Sequence, residues 1–316
     1  MSATADARLP GVAAGSAPQL NTLRHYRQLT VELAISQFKL RYTQSVLGYL
    51  WSLLKPAMLF GITYFIFVDL FKINDGTEYY GMQVLLGIVL WTFFAECTGS
   101  SMQAIAGSAG LIRKAYFPRS ILVIAASLSS LFTFLINMLI VFAIAVGLRQ
   151  IDIGLRMLIV IPLLLELYVL ALGISLFLAS LHVQFHDVGH LWDVMMQLLF
   201  YGSGVMFSLT YVLQRLHLAL QVGQTVPNHS PIFVWIAAVM TANPITQIIE
   251  DLRHALLAPQ APWTEAVVTG HLAAVHQLHA LDVPWMLPVP FVIVIVILTT
   301  GALTFRARAR SFAENL

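Results

Sequence analysis

Residues 120–148 read SILVIAASLSSLFTFLINMLIVFAIAVGL, a run without a single Asp, Glu, Lys or Arg. A bilayer core is crossed by about 20 apolar residues of helix, so this stretch predicts a membrane span. Comparable runs flank it at residues 50–71, entered through Lys55-Pro56, and at 82–103, with Glu96 inside. Others follow at 157–181, with Glu166 inside, at 194–213, broken by Gly202 and Gly204, and at 284–305. A shorter run, 232–242, cannot cross; followed by Asn243-Pro244, it reads as a re-entrant or interfacial segment. Composition agrees with six spans. Apolar residues make up 59% of the 316 and charged residues 10%, against roughly 45–50% and about 25% in soluble domains. The net charge of +2 excludes a strongly basic nucleic-acid binder. The single cysteine, Cys97, excludes an intrachain disulfide and offers no zinc set.

The basic residues orient the chain. Arg8, Arg24, Arg27, Lys39, Arg41 and Lys55 precede or open the first span. Arg113, Lys114 and Arg119 lie between the second and third, and Arg306, Arg308 and Arg310 follow the last. By the positive-inside rule both termini of this multi-pass protein face the cytosol, and 13 Arg against 4 Lys suit a GC-rich bacterial genome, hence a bacterial cytoplasmic membrane. Residues 1–22, rich in Ala, Gly, Ser and Pro and lacking a secretory signal, are expected as a disordered cytosolic tail. Residues 23–45 are expected as an amphipathic interface helix, because Val31, Ile35, Phe38 and Tyr42 recur on one helical face. Residues 46–310 form the transmembrane domain and 311–316 a short cytosolic tail. The fold class is therefore all-α integral membrane.

Several chemistries are missing. No Gly precedes Lys, so there is no phosphate-cradling P-loop, and neither HExxH nor GxSxG occurs. His182, His186 and His190 recur every four residues and would stack on one face of a helix, yet at a membrane boundary they read as solvated polar residues and not as a metal site. Glu96 and Glu166 are the buried acids; without basic partners in the spans they read as hydrogen-bonded acids at helix interfaces, with a proton relay as the alternative. Aromatic residues gather in two spans: Tyr49, Trp51, Tyr64 and Phe67 in the first, Phe200, Tyr201, Phe207 and Tyr211 in the fifth. Interfacial belts account for some of them. Tyr64 and Tyr201 are expected deeper, where such rings would stack on the apolar faces of sugars in a polymer path.

Residues 91–119, WTFFAECTGSSMQAIAGSAGLIRKAYFPR, resemble the second span and first cytoplasmic loop of ABC-2 type exporter permeases of the polysaccharide-export branch, with their W-x-F-F-x-E and L-I-x-K-x-Y-F-P-R patterns. Residues 48–56, GYLWSLLKP, are similar to that branch's approach to span 1. Residues 243–253, NPITQIIEDLR, and 305–316, FRARARSFAENL, are similar to its segments before and after the last span. His186-Asp187 departs from the basic residue usual before that Asp, and the loop 259–283 is longer than usual.

The resemblance implies a half-transporter without its own cofactor: two copies of this chain form a pore, and two copies of a separate ABC ATPase, carrying ATP and Mg, drive it. The implied substrate is a polyprenyl-diphosphate-linked glycan, moved through membrane lipid. Arg113, Lys114, Tyr116, Phe117, Pro118 and Arg119 are expected to dock on the ATPase, with the aromatic pair as anchors. Residues 231–257 are expected as extracellular gate helices, with Asn243 and Pro244 turning the chain and Glu250 facing Arg253 across one helical turn. An exporter of drugs or lipids on the same fold is the alternative. A membrane-embedded glycosyl- or acyltransferase is more remote, because no acid/His/Asp set stands out.

Overall fold

The computed structural model describes residues 19–43, 48, 50–70, 79–114, 117–151, 157–206, 239–240, 242–257, 289–309 and 312. Every regular element among these is helical. Helix α1 covers Gln19–Thr43, α2 Leu50–Tyr64 continued by a π-turn at Phe65–Leu70, and α3 Tyr80–Gln103. A short α4, Ala109–Lys114, precedes α5, Ser120–Gly147, and α6, Met157–His182. Then come α7, Val188–Gly202, α8, Pro244–Leu257, and α9, Val289–Arg308. Among the described residues, α3, α5, α6 and α9 are long and apolar enough to cross a membrane. The stretch expected as the first span is helical, as α2 and its π-turn, but is not among these four helices. The expected fifth begins earlier than read, at Val188, and its helix ends at Gly202; Gly204 then takes a positive φ of 63°. The run 232–242 is described only at its end, and the loop 259–283 lies outside the described residues.

The bundle is built on α6, which packs along α9 and against α3 and α8, while α5 packs between α3 and α1. Phe93 of α3 stacks on Phe134 of α5 at 4.4 Å between ring centres. Interiors in lipid gain little from the hydrophobic effect, so close backbone approach has to supply the contact energy. Gly173 of α6 meets Gly301 of α9 for that reason: a Cβ on Gly301 would lie 2.1 Å from the Gly173 carbonyl oxygen. A Cβ on Gly173 would lie 2.8 Å from Leu298 Cα.

Pro56 interrupts α2 without orphaning its backbone. Lacking an N–H, it leaves the carbonyl four residues earlier unbonded. That carbonyl belongs to Ser52, and Asn137 Nδ2 of α5 donates to it at 3.4 Å. The buried Asn137 thus has a structural task that hydropathy does not display.

Helix α1 differs from its expected form in two ways. It begins at Gln19, inside the stretch expected as a tail. Its bundle-facing side carries the fully buried Ala34, and Phe38, whose ring meets Phe132 edge-on at 6.3 Å. Val31 and Ile35 of the expected stripe are each 39% exposed. The stripe is split between protein and surroundings because a helix lying on a bundle has two apolar neighbours.

Gly301→Ala is expected to lower the thermal stability of the purified protein by roughly 1–3 kcal/mol, the cost of overpacking a tight contact. Gly99→Ala, where a Cβ would meet nothing within 4 Å, is the control and should be neutral or slightly stabilising. Equal melting temperatures for the two variants would exclude the glycine contact as a determinant of the α6–α9 crossing.

Candidate functional site

Residues 244–257 of the expected gate segment fold as α8, and its start is a sequence-encoded cap. Asn243 Oδ1 accepts the N–H of Ile245 at 3.0 Å, and Pro244 opens the first turn, where no N–H is needed. Asn243 Nδ2 also donates to Ser203 Oγ at 3.0 Å, tying the start of α8 to the turn after α7. The periodic Ile245, Ile248, Ile249, Leu252 and Leu256 are all buried. So are Thr246, Gln247, Glu250 and Arg253, so the helix is enclosed by protein and does not lie on an outer surface as an amphipathic cap would.

Arg253 explains how a charged helix tolerates this. Its Nη1 donates to the Gly204 carbonyl at 2.9 Å, Nη2 to the Val205 carbonyl at 2.7 Å and Nε to the Gln83 carbonyl at 3.2 Å. Glu250 stands 3.8 Å away, one turn back. The planar guanidinium, with five donors in a fixed fork, joins α8, the end of α7 and the start of α3. Gly87 clears the space: a Cβ there would lie 2.8 Å from Arg253 Nη2. The Tyr80 hydroxyl closes the same junction by donating to the Met206 carbonyl at 2.9 Å. The reading of Glu250 facing Arg253 agrees with this geometry; the carbonyl partners had no sequence signal.

Glu96 and Glu166, expected to be buried, are only half-buried, and each has polar neighbours. Glu166 of α6 faces Gln247 and Asp251 of α8, and Gln247 Nε2 donates to Asp251 Oδ2 at 2.6 Å. Glu96 of α3 pairs with Arg41, so its basic partner comes from α1, outside the spans. Cys97 is buried and free.

At the opposite end of the bundle, the expected docking loop is built into the protein on one side. Phe117 is half-buried and Pro118 exposed. Arg119 donates to the Ala309 carbonyl, and its guanidinium lies 5.9 Å from the centre of the Phe312 ring. Phe312 is fully buried and meets Phe305 edge-on at 5.4 Å. The residues 311–316, expected as a short cytosolic tail, include the core residue Phe312. Tyr116 and the side chains of Arg113 and Lys114 lie outside the described residues.

The expected aromatic path is only partly described: Tyr49, Phe207, Tyr211 and the side chain of Phe67 lie outside the described residues. Trp51 is 44% exposed and Tyr201 63%. Tyr64 lies against Gly81 at the first turn of α3, near that span's end and not at mid-depth. Phe200 turns inward onto the buried Trp91, with ring centres 5.6 Å apart. The expected histidine stack does not form, because α6 ends at His182 and α7 starts at Val188. His182 and His186 remain adjacent at 5.7 Å, and no metal-holding group of His, Cys, Asp and Glu occurs among the described residues.

The sequence profile of the ABC-2 type transporter family matches residues 28–216. A protein of Klebsiella pneumoniae named O-antigen export system permease protein RfbA is 28% identical over 183 residues, which cover 57% of this chain and 69% of the relative. One of the same name from Myxococcus xanthus is 25% identical over 190 residues, 60% of this chain and 72% of the relative.

Arg253→Gln is expected to destabilise the purified protein by about 3–5 kcal/mol, the cost of leaving a buried ionic partner and carbonyls uncompensated. Arg253→Lys should recover only part, since an ammonium cannot reproduce the fork. Thermal unfolding checks this; a melting temperature in Arg253→Gln equal to that of the unaltered chain would remove the junction from the account.

Proposed function

From the premise that the chain belongs to the ABC-2 type transporter family, we propose that it is the transmembrane subunit of an exporter for a polyprenyl-diphosphate-linked polysaccharide. The observation that carries this reading is the similarity to O-antigen export permeases over most of those relatives' length. Two copies of the chain enclose the path, and two copies of a separate ABC ATPase bind ATP and Mg and supply the work. Both termini lie in the cytosol of a bacterial cell.

The roles divide along the bundle. The loop 113–119 docks on the ATPase, and its tie through Arg119 to Ala309 and Phe312 supports this, because a loop clamped to α9 can pass a push into a span and not merely flex. The exposed rings of Trp51 and Tyr201 face the glycan path. The segment around α8 forms the extracellular gate: Arg253 bonds it to the ends of α7 and α3, so motion of either is felt at the other. An exporter of a drug or lipid would share this architecture, and the carried substrate separates the two readings.

Phe117→Ala is expected to lower permease-stimulated ATP hydrolysis by roughly fivefold or more, the effect of removing an interface anchor contributing at least about 1 kcal/mol. Recovery of the ATPase with the permease should fall in parallel, while expression and melting temperature hold. Unchanged co-purification and unchanged hydrolysis would exclude the docking role of this loop.

A further inference from the structure

A cavity of about 630 Å³ lies where α1, α2 and α3 meet, lined by Arg41, Trp51, Lys55, Thr92 and Glu96 together with the small residues Gly48, Ser52 and Ala95. We infer that this cavity binds the phosphate-bearing head group of a lipid in the cytosolic leaflet, held by Arg41 and Lys55, with Glu96 as the exchangeable partner that occupies Arg41 when no lipid is bound. The identity of that lipid as the transported species rests on the exporter reading above; the head-group site does not.

Charge is the first argument. Two basic side chains and one acid line the cavity, so one basic group is left after Arg41 and Glu96 pair. A carboxylate placed inside a span is costly unless compensated, which accounts for Arg41 reaching in from α1. It does not account for Lys55, which is exposed on the same wall. Phosphate oxygens accept from a guanidinium fork and from an ammonium at once, which suits this pair of donors. Arg41 and Glu96 each keep 30% of their side chains exposed, so an anion can reach the pair without unfolding the site.

Shape is the second argument. The volume falls within the range of about 300–1,000 Å³ typical of small-molecule sites. Gly48, Ser52 and Ala95 leave the space open, and Trp51 offers an indole wall. The third argument separates a lipid from a free phosphate. Trp51, Lys55, Met58 and Ile62 recur at i, i+4, i+7 and i+11, one face of α2. Met58 and Ile62 are 55% and 56% exposed. The polar cavity therefore continues along α2 into an apolar stripe that runs deeper into the membrane, as a charged head with a hydrocarbon tail requires.

The test measures binding of geranylgeranyl diphosphate to the full chain in neutral phosphatidylcholine nanodiscs, with geranylgeraniol as the tail-only control. Lys55→Gln and the Arg41→Gln/Lys55→Gln pair should weaken binding, the pair by roughly tenfold or more. Glu96→Gln should tighten it, because the competing carboxylate charge is gone. Where the double variant melts early, Lys55→Gln, at an exposed position, carries the test alone. Competition by phosphatidylglycerol as strong as that of unlabelled geranylgeranyl diphosphate assigns the site to bulk anionic lipid; no competition at excess assigns it to a diphosphate lipid. Both outcomes retain the head-group site. Equal binding of geranylgeraniol, or Lys55→Gln binding within twofold of the unaltered chain, overturns it. An unaltered complex that exports glycan but binds no diphosphate overturns this inference and leaves the exporter reading standing. One that binds the diphosphate but exports no glycan does the reverse.

Discussion

In hydrocarbon no water is at hand to satisfy a backbone carbonyl, so each place where a helix stops or bends needs a partner from the protein. Arg253 is the most heavily used partner of this kind. It takes the Gly204 and Val205 carbonyls, exposed where α7 ends, and the Gln83 carbonyl in the first turns of α3. Asn137 does the same on a smaller scale for the Ser52 carbonyl that Pro56 leaves free. Asn243 caps α8, and Arg119 takes the Ala309 carbonyl just past α9. The bundle can therefore contain a prolyl helix, a helix that stops at Gly202 and a short internal helix.

The spans were legible because a membrane imposes a length on them. The charge-free run at 120–148 became Ser120–Gly147, and the runs at 82–103 and 157–181 became Tyr80–Gln103 and Met157–His182. Asn243-Pro244 was read as a reversal and is a helix cap, which the same two residues encode in either case. Pairing of Glu250 with Arg253 followed from spacing alone, since residues three apart share a helical face.

What was not legible depends on contacts between residues distant in the chain. Periodicity places Arg253 on a face but cannot name carbonyls at 83, 204 and 205 as its targets. Glu96 looked isolated because Arg41 reaches it from outside the spans. Phe312 looked like part of a tail because its burial requires Phe305, Ile105 and Val183 to converge from three segments. The histidine spacing suggested one stacked face only as long as a single helix ran through residues 182–190. His182 ends α6 and Asp187 precedes α7, so the period is broken by a turn with no Gly or Pro to announce it.

The proposed function assigns different work to the two ends of the bundle: at one, Arg119 ties the loop before α5 to the end of α9; at the other, the enclosed α8 is bonded through Arg253 to the end of α7 and the start of α3. The sequence carries no P-loop, and in the proposed function nucleotide hydrolysis belongs to a partner chain. The most direct measurement is the surface glycan of cells from which this chain has been deleted. The account predicts loss of that glycan, accumulation of the lipid-linked glycan on the cytosolic side, and reversal of both on restoring the chain. Unchanged surface glycan with no internal accumulation would contradict it.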